Sequence, residues 1–262
     1  MKVRVLGCHG SDQLIERTPE PLTCRTCGFL INDTVLVDAG TVGSVLLLSE
    51  QQRIRQILLS HLHFDHVKGL PTLADNLVGT HHEPVELRSI PEVLDGLRAH
   101  VFNDALYPDF LKLPDPANPV FSAQALEVRK ENQVCGLAVT PIPVNHLVPT
   151  VGFLLRDGNS SILYSGDTYA TEEIWKAASA EHNLKAAFIE TSFPDELADL
   201  ARMSKHLTPA TFAEEFRKIG KPNLPVFVYH MKPKFRREIQ RQLTALKIPN
   251  LRVLEEGEVV TF

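Results

Sequence analysis

Short apolar runs bounded by turn residues recur along the whole chain, and most are too short for anything but strands. "MKVRVLGCHG" opens the chain with a strand-like pattern. Phe29 to Gly40, "FLINDTVLVDAG", predicts two strands around a turn at Asn32 and Asp33. A helix-like segment follows, then the strand "RQILLS". Leu137 to His146 reads as a strand ending in a histidine, and Gly152 to Thr168 as a hairpin around Asp-Gly-Asn whose second strand ends in Asp167. A helix over Thr171 to Asn183 and the strand "KAAFIET" come next. Thr208 caps a further helix with Pro209 in its first position, and Phe212, Phe216 and Ile219 share one face of it. "LPVFVYH" is another strand ending in a histidine, and "LRVLEEGEVVTF" reads as a closing hairpin around Glu256 and Gly257.

Strands and helices alternating in two β-rich halves predict an α/β chain, with sheets packed together and helices outside them. One domain over residues 1–262 is expected. Residues 90–119, which end in a Pro-rich stretch, read as an inserted lid-like segment. The composition, 44% hydrophobic and 23% charged, is that of a soluble globular enzyme. A net charge of −5 provides no global attraction for polyanions. The one basic cluster, Lys232 to Gln242, reads as the solvated face of a helix. No run approaches the ~20 apolar residues of a membrane span, and the N-terminus has no apolar signal-peptide core. Four unevenly spaced cysteines do not form a disulfide framework, so a cytoplasmic location is expected. Cys24 and Cys27 form one C-x-x-C, but a structural zinc site wants four ligands. Cys8 or Cys135 could join it only through the fold, and the pair reads as a bystander. His81 and His82 read as surface or supporting residues.

Four strand ends carry a metal-capable residue: His61, His146, Asp167 and His230. The first opens a denser cluster, "SHLHFDH", Ser60 to His66. His61 and His63, two apart on an extended end, share a face. Asp65 and His66 lie beyond, where the chain can curl back. Imidazole suits zinc, manganese and iron, and a carboxylate adds charge and can bridge two ions. Such spacing lets one loop serve two cations about 3.5–4 Å apart.

"SHLHFDHVKGL", "VDAGT" around Asp38, "SGDT" around Asp167 and "VYHMK" around His230 resemble the motifs of the metallo-β-lactamase superfamily over nearly the whole chain. The resemblance implies a four-layer αβ/βα sandwich with the site between its halves. It implies that His61, His63 and His146 hold one metal, that Asp65, His66 and His230 hold the other, and that Asp167 bridges them. Asp38 would support the metal loop, with zinc the favoured ion and manganese or iron compatible. Three separated segments, Ala99 to Pro114, Phe188 to Pro209 and Val228 to Pro233, resemble class II cyclic-nucleotide phosphodiesterases more narrowly. Tyr107 stands where that family typically has Trp, and "LGCHGSD" replaces a more usual run of small residues.

The implied activity is hydrolysis of 3′,5′-cyclic nucleotides to nucleoside 5′-monophosphates by hydroxide attack on phosphorus. A ribonuclease Z-type nuclease or broader phosphodiesterase is the alternative, with a cyclic-nucleotide sensor third. Glu190 and His206 resemble a Glu–His pair of ribonuclease Z and are the candidate proton donors, with Asp65 as a further one. Phe102, Asn103, Tyr107 and Phe110 are the candidate base-binding residues, because aromatic faces stack on bases and an amide can bond a base edge. The expected partner is a small-molecule cyclic nucleotide. No membrane and no stable nucleic-acid partner is expected, and a homodimer is compatible with this reading.

Overall fold

A computed structural model describes residues 1–16, 19–80 and 83–262. His81 and His82 lie outside the described residues. The first half runs β1 (Lys2–Gly7), β2 (Gln13–Ile15), β3 (Leu22–Cys24), β4 (Gly28–Ile31), β5 (Val35–Val37), α1 (Leu48–Gln51), β6 (Gln56–Leu58), α2 (Phe64–Val67), α3 (Gly69–Leu77), β7 (Val85–Ser89), α4 (Pro91–His100) and β8 (Phe121–Ala125). The second runs β9 (Asn132–Val134), β10 (Leu137–Pro143), β11 (Val151–Asp157), β12 (Ser160–Tyr164), α5 (Glu173–Ala180), β13 (Leu184–Glu190), α6 (Ala198–Ser204), α7 (Pro209–Arg217), β14 (Val226–Tyr229), α8 (Arg236–Ala245), β15 (Leu251–Val253) and β16 (Val259–Thr261). One seven-stranded sheet has the order β16-β1-β4-β5-β6-β7-β8, the other β15-β14-β13-β12-β11-β10-β9. Each is antiparallel on one side and parallel on the other.

Local chemistry explains the elements. Asn32 and Asp33 both take positive φ, the backbone a tight hairpin between β4 and β5 requires, and their short polar side chains tolerate it. β4 and β5 are buried along their whole length, as continuous apolar runs covered on both faces should be. Thr208 caps α7, accepting the Thr211 N–H, with Pro209 in the first turn. Phe212, Phe216 and Ile219 are buried as the periodicity predicted, against β13, β14 and α5 through Ile189, Val228 and Trp175. α8 buries Ile239 and Leu243 while Arg237 and Arg241 face outward as the solvated face expected; Arg236 departs from it, its side chain only 15% exposed.

The two sheets meet in an aromatic cluster. Phe29 of the first sheet lies edge-on to Tyr164, Phe188 and Tyr229 of the second, with ring centroids 5.5, 6.1 and 5.5 Å away. With helices on the outer faces this is a helix–sheet–sheet–helix sandwich, the α/β architecture expected. The predicted closing hairpin is a correction: β15 pairs in parallel with β14, whereas β16 pairs antiparallel with β1 in the opposite sheet. The chain crosses at buried Leu254 and turns at Gly257, φ 81°. Apolar alternation does not reveal which sheet a strand joins. Residues 90–119 comprise α4 and the loop that carries the chain from β7 to its parallel neighbour β8. Among the described residues no helix is long and apolar enough to cross a membrane.

Phe29→Ala removes the ring that joins the sheets. It is expected to cost about 3–5 kcal/mol in urea unfolding; a loss under about 1 kcal/mol would mean that the sheets are held together elsewhere.

Candidate metal centre

The ligand candidates sit just past strand ends on one edge of the sandwich. His61 lies three residues beyond β6, His146 three beyond β10, Asp167 three beyond β12, and His230 directly after β14. Short α2 follows His63 and turns Asp65 and His66 back toward the strand edge. The loop after β5 is laced to α2: Ala39 N–H donates to the His66 carbonyl, and Gly69 N–H to the Ala39 carbonyl. At Gly40 a β-carbon would collide with the carbonyl oxygens of Asp65 and Cys27, so only glycine permits this approach. Asp38 (φ 55°) and His230 (φ 69°) both hold left-handed backbone, a strain of about 1–3 kcal/mol each that surrounding contacts must offset.

Asp167 lies at the centre. Its Oδ2 is 3.7 Å from His61 Nε2, 3.3 Å from His66 Nε2, 3.2 Å from His230 Nε2 and 4.0 Å from His206 Nδ1. His146 Nε2 is 3.1 Å from His63 Nδ1, and Asp65 Oδ2 is 3.3 Å from His230 Nε2. His61, His63, His146 and Asp167 present ligand atoms within 4.8 Å of one another. All seven predicted ligands therefore converge.

The outer hydrogen bonds fix where the ring protons go. Asp38 accepts from Ser60 N–H (2.8 Å), Ser60 Oγ (2.8 Å), His66 Nδ1 (2.7 Å) and Tyr164 OH (2.6 Å). With its hydroxyl proton on Asp38, Ser60 accepts from His61 Nδ1 at 2.9 Å. Ser192 Oγ donates to Glu190 Oε2 and accepts from His230 Nδ1 at 2.8 Å. His146 Nδ1 donates to the Lys205 carbonyl at 3.0 Å. Each of these Nδ1 atoms thus has its proton acceptor, and the Nε2 atoms of His61, His146 and His230 face inward. Burial disfavours charge on His66, but the Asp167 and Asp38 carboxylates against its two nitrogens push it well above the usual imidazole range. His66 Nε2 stands 3.3 Å from His230 Nε2 and 3.3 Å from Asp167 Oδ2. His61 Nε2 and Asp167 Oδ1 are buried without any partner. Converging lone pairs and an orphaned carboxylate oxygen are what cations would satisfy, so the residues fit a metal centre.

Protonation follows the same geometry. Burial pushes His61 well down, and the neighbouring His66 adds to it. Burial and His146 push His63 down to about 4. Burial also lowers His146 and His230. These four are therefore neutral imidazoles, the form that ligates metal. Burial opposes ionisation of Asp65, yet the neighbouring His230 and the charge of His66 hold it well below the usual carboxylate range.

Glu190 and His206 also reach the cluster. Glu190 Oε1 lies 2.7 Å from His206 Nδ1, and Glu190 also accepts from Thr168 N–H and Leu207 N–H. The His206 ring lies 5.0 Å from that of His146 and 5.2 Å from that of His230. The four lid candidates lie elsewhere. Phe102 is buried against Phe121, and Phe110 is buried beside Tyr107, whose hydroxyl bonds Asp75. The Asn103 amide is spent on its own turn, through Ala99, Ala105 and Leu106. The cavity of about 500 Å³ beside Phe102 and Asn103 is lined by Arg98 and Lys112 and by no residue of the cluster. Sequence reasoning missed Ser60, Ser192, Tyr164 and Cys27. Cys27, read as a bystander, places its sulfur within 4.8 Å of nitrogens of His66 and His230. No local pattern marks these residues, which act only through the fold.

The fold is shared with known proteins. A family model described as a beta-lactamase superfamily domain matches residues 33–231. The chain belongs to the beta-lactamase superfamily. A probable 3′,5′-cyclic-nucleotide phosphodiesterase of Yersinia pestis is 26% identical over 211 residues, 71% of this chain and 59% of that protein. A 3′,5′-cyclic-nucleotide phosphodiesterase of Schizosaccharomyces pombe is 28% identical over 183 residues, 62% of this chain and 51% of that protein. The chain thus spans little more than half the length of these curated relatives. In fold it is similar to unliganded yeast PDE1, with a TM-score of 0.79 at 17% identity and 98% of both chains covered.

Asp38→Ala frees the Nδ1 proton of His66 and the hydroxyl of Ser60. It is expected to weaken metal binding about 10–100-fold in a chelator-competition titration; an unchanged affinity would show that Asp38 does not orient the ligands.

Proposed function

We propose that this protein is a metal-dependent phosphodiesterase that opens 3′,5′-cyclic nucleotides to nucleoside 5′-monophosphates. In this reading His61, His63 and His146 would hold one divalent cation, and Asp65, His66 and His230 a second, with Asp167 shared between them. Zinc suits the neutral imidazoles and carboxylates best, and manganese or iron would fit the same donors. When bound, such ions supply acidified water near neutral pH and offset charge on the phosphoryl oxygens.

The protein's own contribution is the leaving group. Opening a cyclic ester expels the 3′ oxygen as an alkoxide, a poor leaving group that needs a proton in the transition state. His206 is the donor. Glu190 accepts its Nδ1 proton at 2.7 Å, which fixes the ring and leaves Nε2 to carry the transferable proton. Glu190 is itself locked by Thr168, Ser192 and Leu207, so the pair enters the reaction already oriented. Asp65, also a candidate proton carrier, is held ionised by His230 and serves better as a ligand. The observation that carries this reading is the Glu190–His206 pair beside the Asp167 cluster. The names of the two curated relatives supply the substrate class.

The test compares leaving groups in the metal-loaded protein. His206→Ala is expected to lower turnover of cyclic AMP about 10²–10⁴-fold with metal content unchanged. Bis(p-nitrophenyl) phosphate, whose phenolate departs unaided, should lose far less. Equal losses on both esters would make His206 structural. Turnover of linear dinucleotides with none of any cyclic nucleotide would replace this reading with a nuclease.

A further inference from the structure

Four of the eleven large apolar side chains exposed among the described residues lie on the segments that carry ligands or His206. Among the described residues, Phe64 is 67% exposed, Leu147 59%, Met203 67% and Leu200 45%. Phe64 stands between His63 and Asp65, and Leu147 follows His146. Leu200 and Met203, three apart, share one face of α6, the helix whose left-handed cap at Lys205 delivers His206. These stretches are tied together at the site. His63 Nδ1 and His146 Nε2 stand 3.1 Å apart, His146 donates to the Lys205 carbonyl at 3.0 Å, and the His146 and His206 rings lie 5.0 Å apart. The segments that carry these four apolar groups are therefore pinned to one cluster, which sets the groups along its rim. The fold spends nothing to bury them, and exposed apolar surface of this kind marks a binding site.

The rim's position names its occupant. The centre it surrounds takes an anion: Lys232 Nζ lies 3.8 Å from Asp65 Oδ2, and half-buried Lys205, next to His206 in the chain, holds its ammonium over the Tyr169 ring. A substrate held there by its phosphate must rest its remaining part on Phe64, Leu147 and Met203. Charge inside and flat apolar surface outside match a phosphodiester with an aromatic substituent. We propose that Phe64, with Leu147 and Met203, forms the base-binding platform, resting on the phosphodiesterase reading above. Phe64 stacks on the base and is the main base contact, in place of the buried Phe102 and Phe110 of the lid. Stacking reads a π-face and not its edge groups, so cyclic AMP and cyclic GMP should be used within about tenfold of each other.

Steady-state kinetics on the metal-loaded full chain test this. Phe64→Ala is expected to raise KM for cyclic AMP and cyclic GMP roughly 5–100-fold, with kcat within about threefold and metal content unchanged. Phe64→Trp should keep KM near the original, and a cyclic ribose phosphate lacking a base should not distinguish Phe64→Ala from the parent. An unchanged KM for the cyclic nucleotides in Phe64→Ala would overturn the proposal. So would a joint fall in kcat and metal content, or conversion of a dimer to a monomer without a KM change, which would make the rim a contact between copies. If the parent turns over no cyclic nucleotide, the reading of its substrate fails, but the platform is still testable. Bis(p-nitrophenyl) phosphate carries two flat rings, and Phe64→Ala should raise its KM as well; no rise there would sink the platform on its own.

Discussion

Imidazole nitrogens and a buried carboxylate crowded into one dry site are the constraint around which this structure is arranged. His63 Nδ1 and His146 Nε2 stand 3.1 Å apart, His66 Nε2 and His230 Nε2 3.3 Å apart, and His61 Nε2 and Asp167 Oδ1 are buried with no partner at all. Protonating the rings instead would place several positive charges in a dry site, which burial opposes at His61, His63, His146 and His230. Divalent cations remove both problems together. The outer shell is built for that state: Asp38, Ser60, Ser192 and the Lys205 carbonyl each occupy the far nitrogen of a ring.

The sandwich makes that arrangement affordable. Rigid strands bring ligands from positions 61 to 230 to one edge, and the aromatic core between the sheets reaches directly into the supporting shell. Tyr164 packs on Phe29 and donates to Asp38, while Tyr229 packs on Phe29 and donates to the Gly166 carbonyl beside Asp167. Core packing and ligand orientation are therefore one network, and left-handed backbone at Asp38 and His230 is tolerated within it. Glu190 extends the network to His206, and α6 links His206 to the apolar rim.

Much of this was legible in the chain, for a physical reason. Metal ligation needs particular side chains at particular spacings, so "HLHFDH", His146, Asp167 and His230 stood out against ordinary strand ends. Strand periodicity likewise revealed β4, β5, β10 to β13 and β14. The supporting residues were not legible. Ser60, Ser192, Tyr164 and Cys27 are common residues whose role comes from what the fold brings beside them. Alternation in the last twelve residues could not say that β15 and β16 belong to different sheets. Aromatic residues near Tyr107 suggested a base-binding lid, but a ring that stacks on substrate and a ring that fills a core look alike in sequence. Burial identifies the core rings, with Phe102 at 1% and Phe110 at 5% exposure.

The most direct test of the metal centre is a crystal structure of the zinc-loaded protein with data collected at the zinc absorption edge. Two anomalous peaks about 3.5–4 Å apart are expected in the histidine cluster, with Asp167 contacting both. A single peak there, or two peaks that Asp167 does not join, would contradict the account of a shared dinuclear centre.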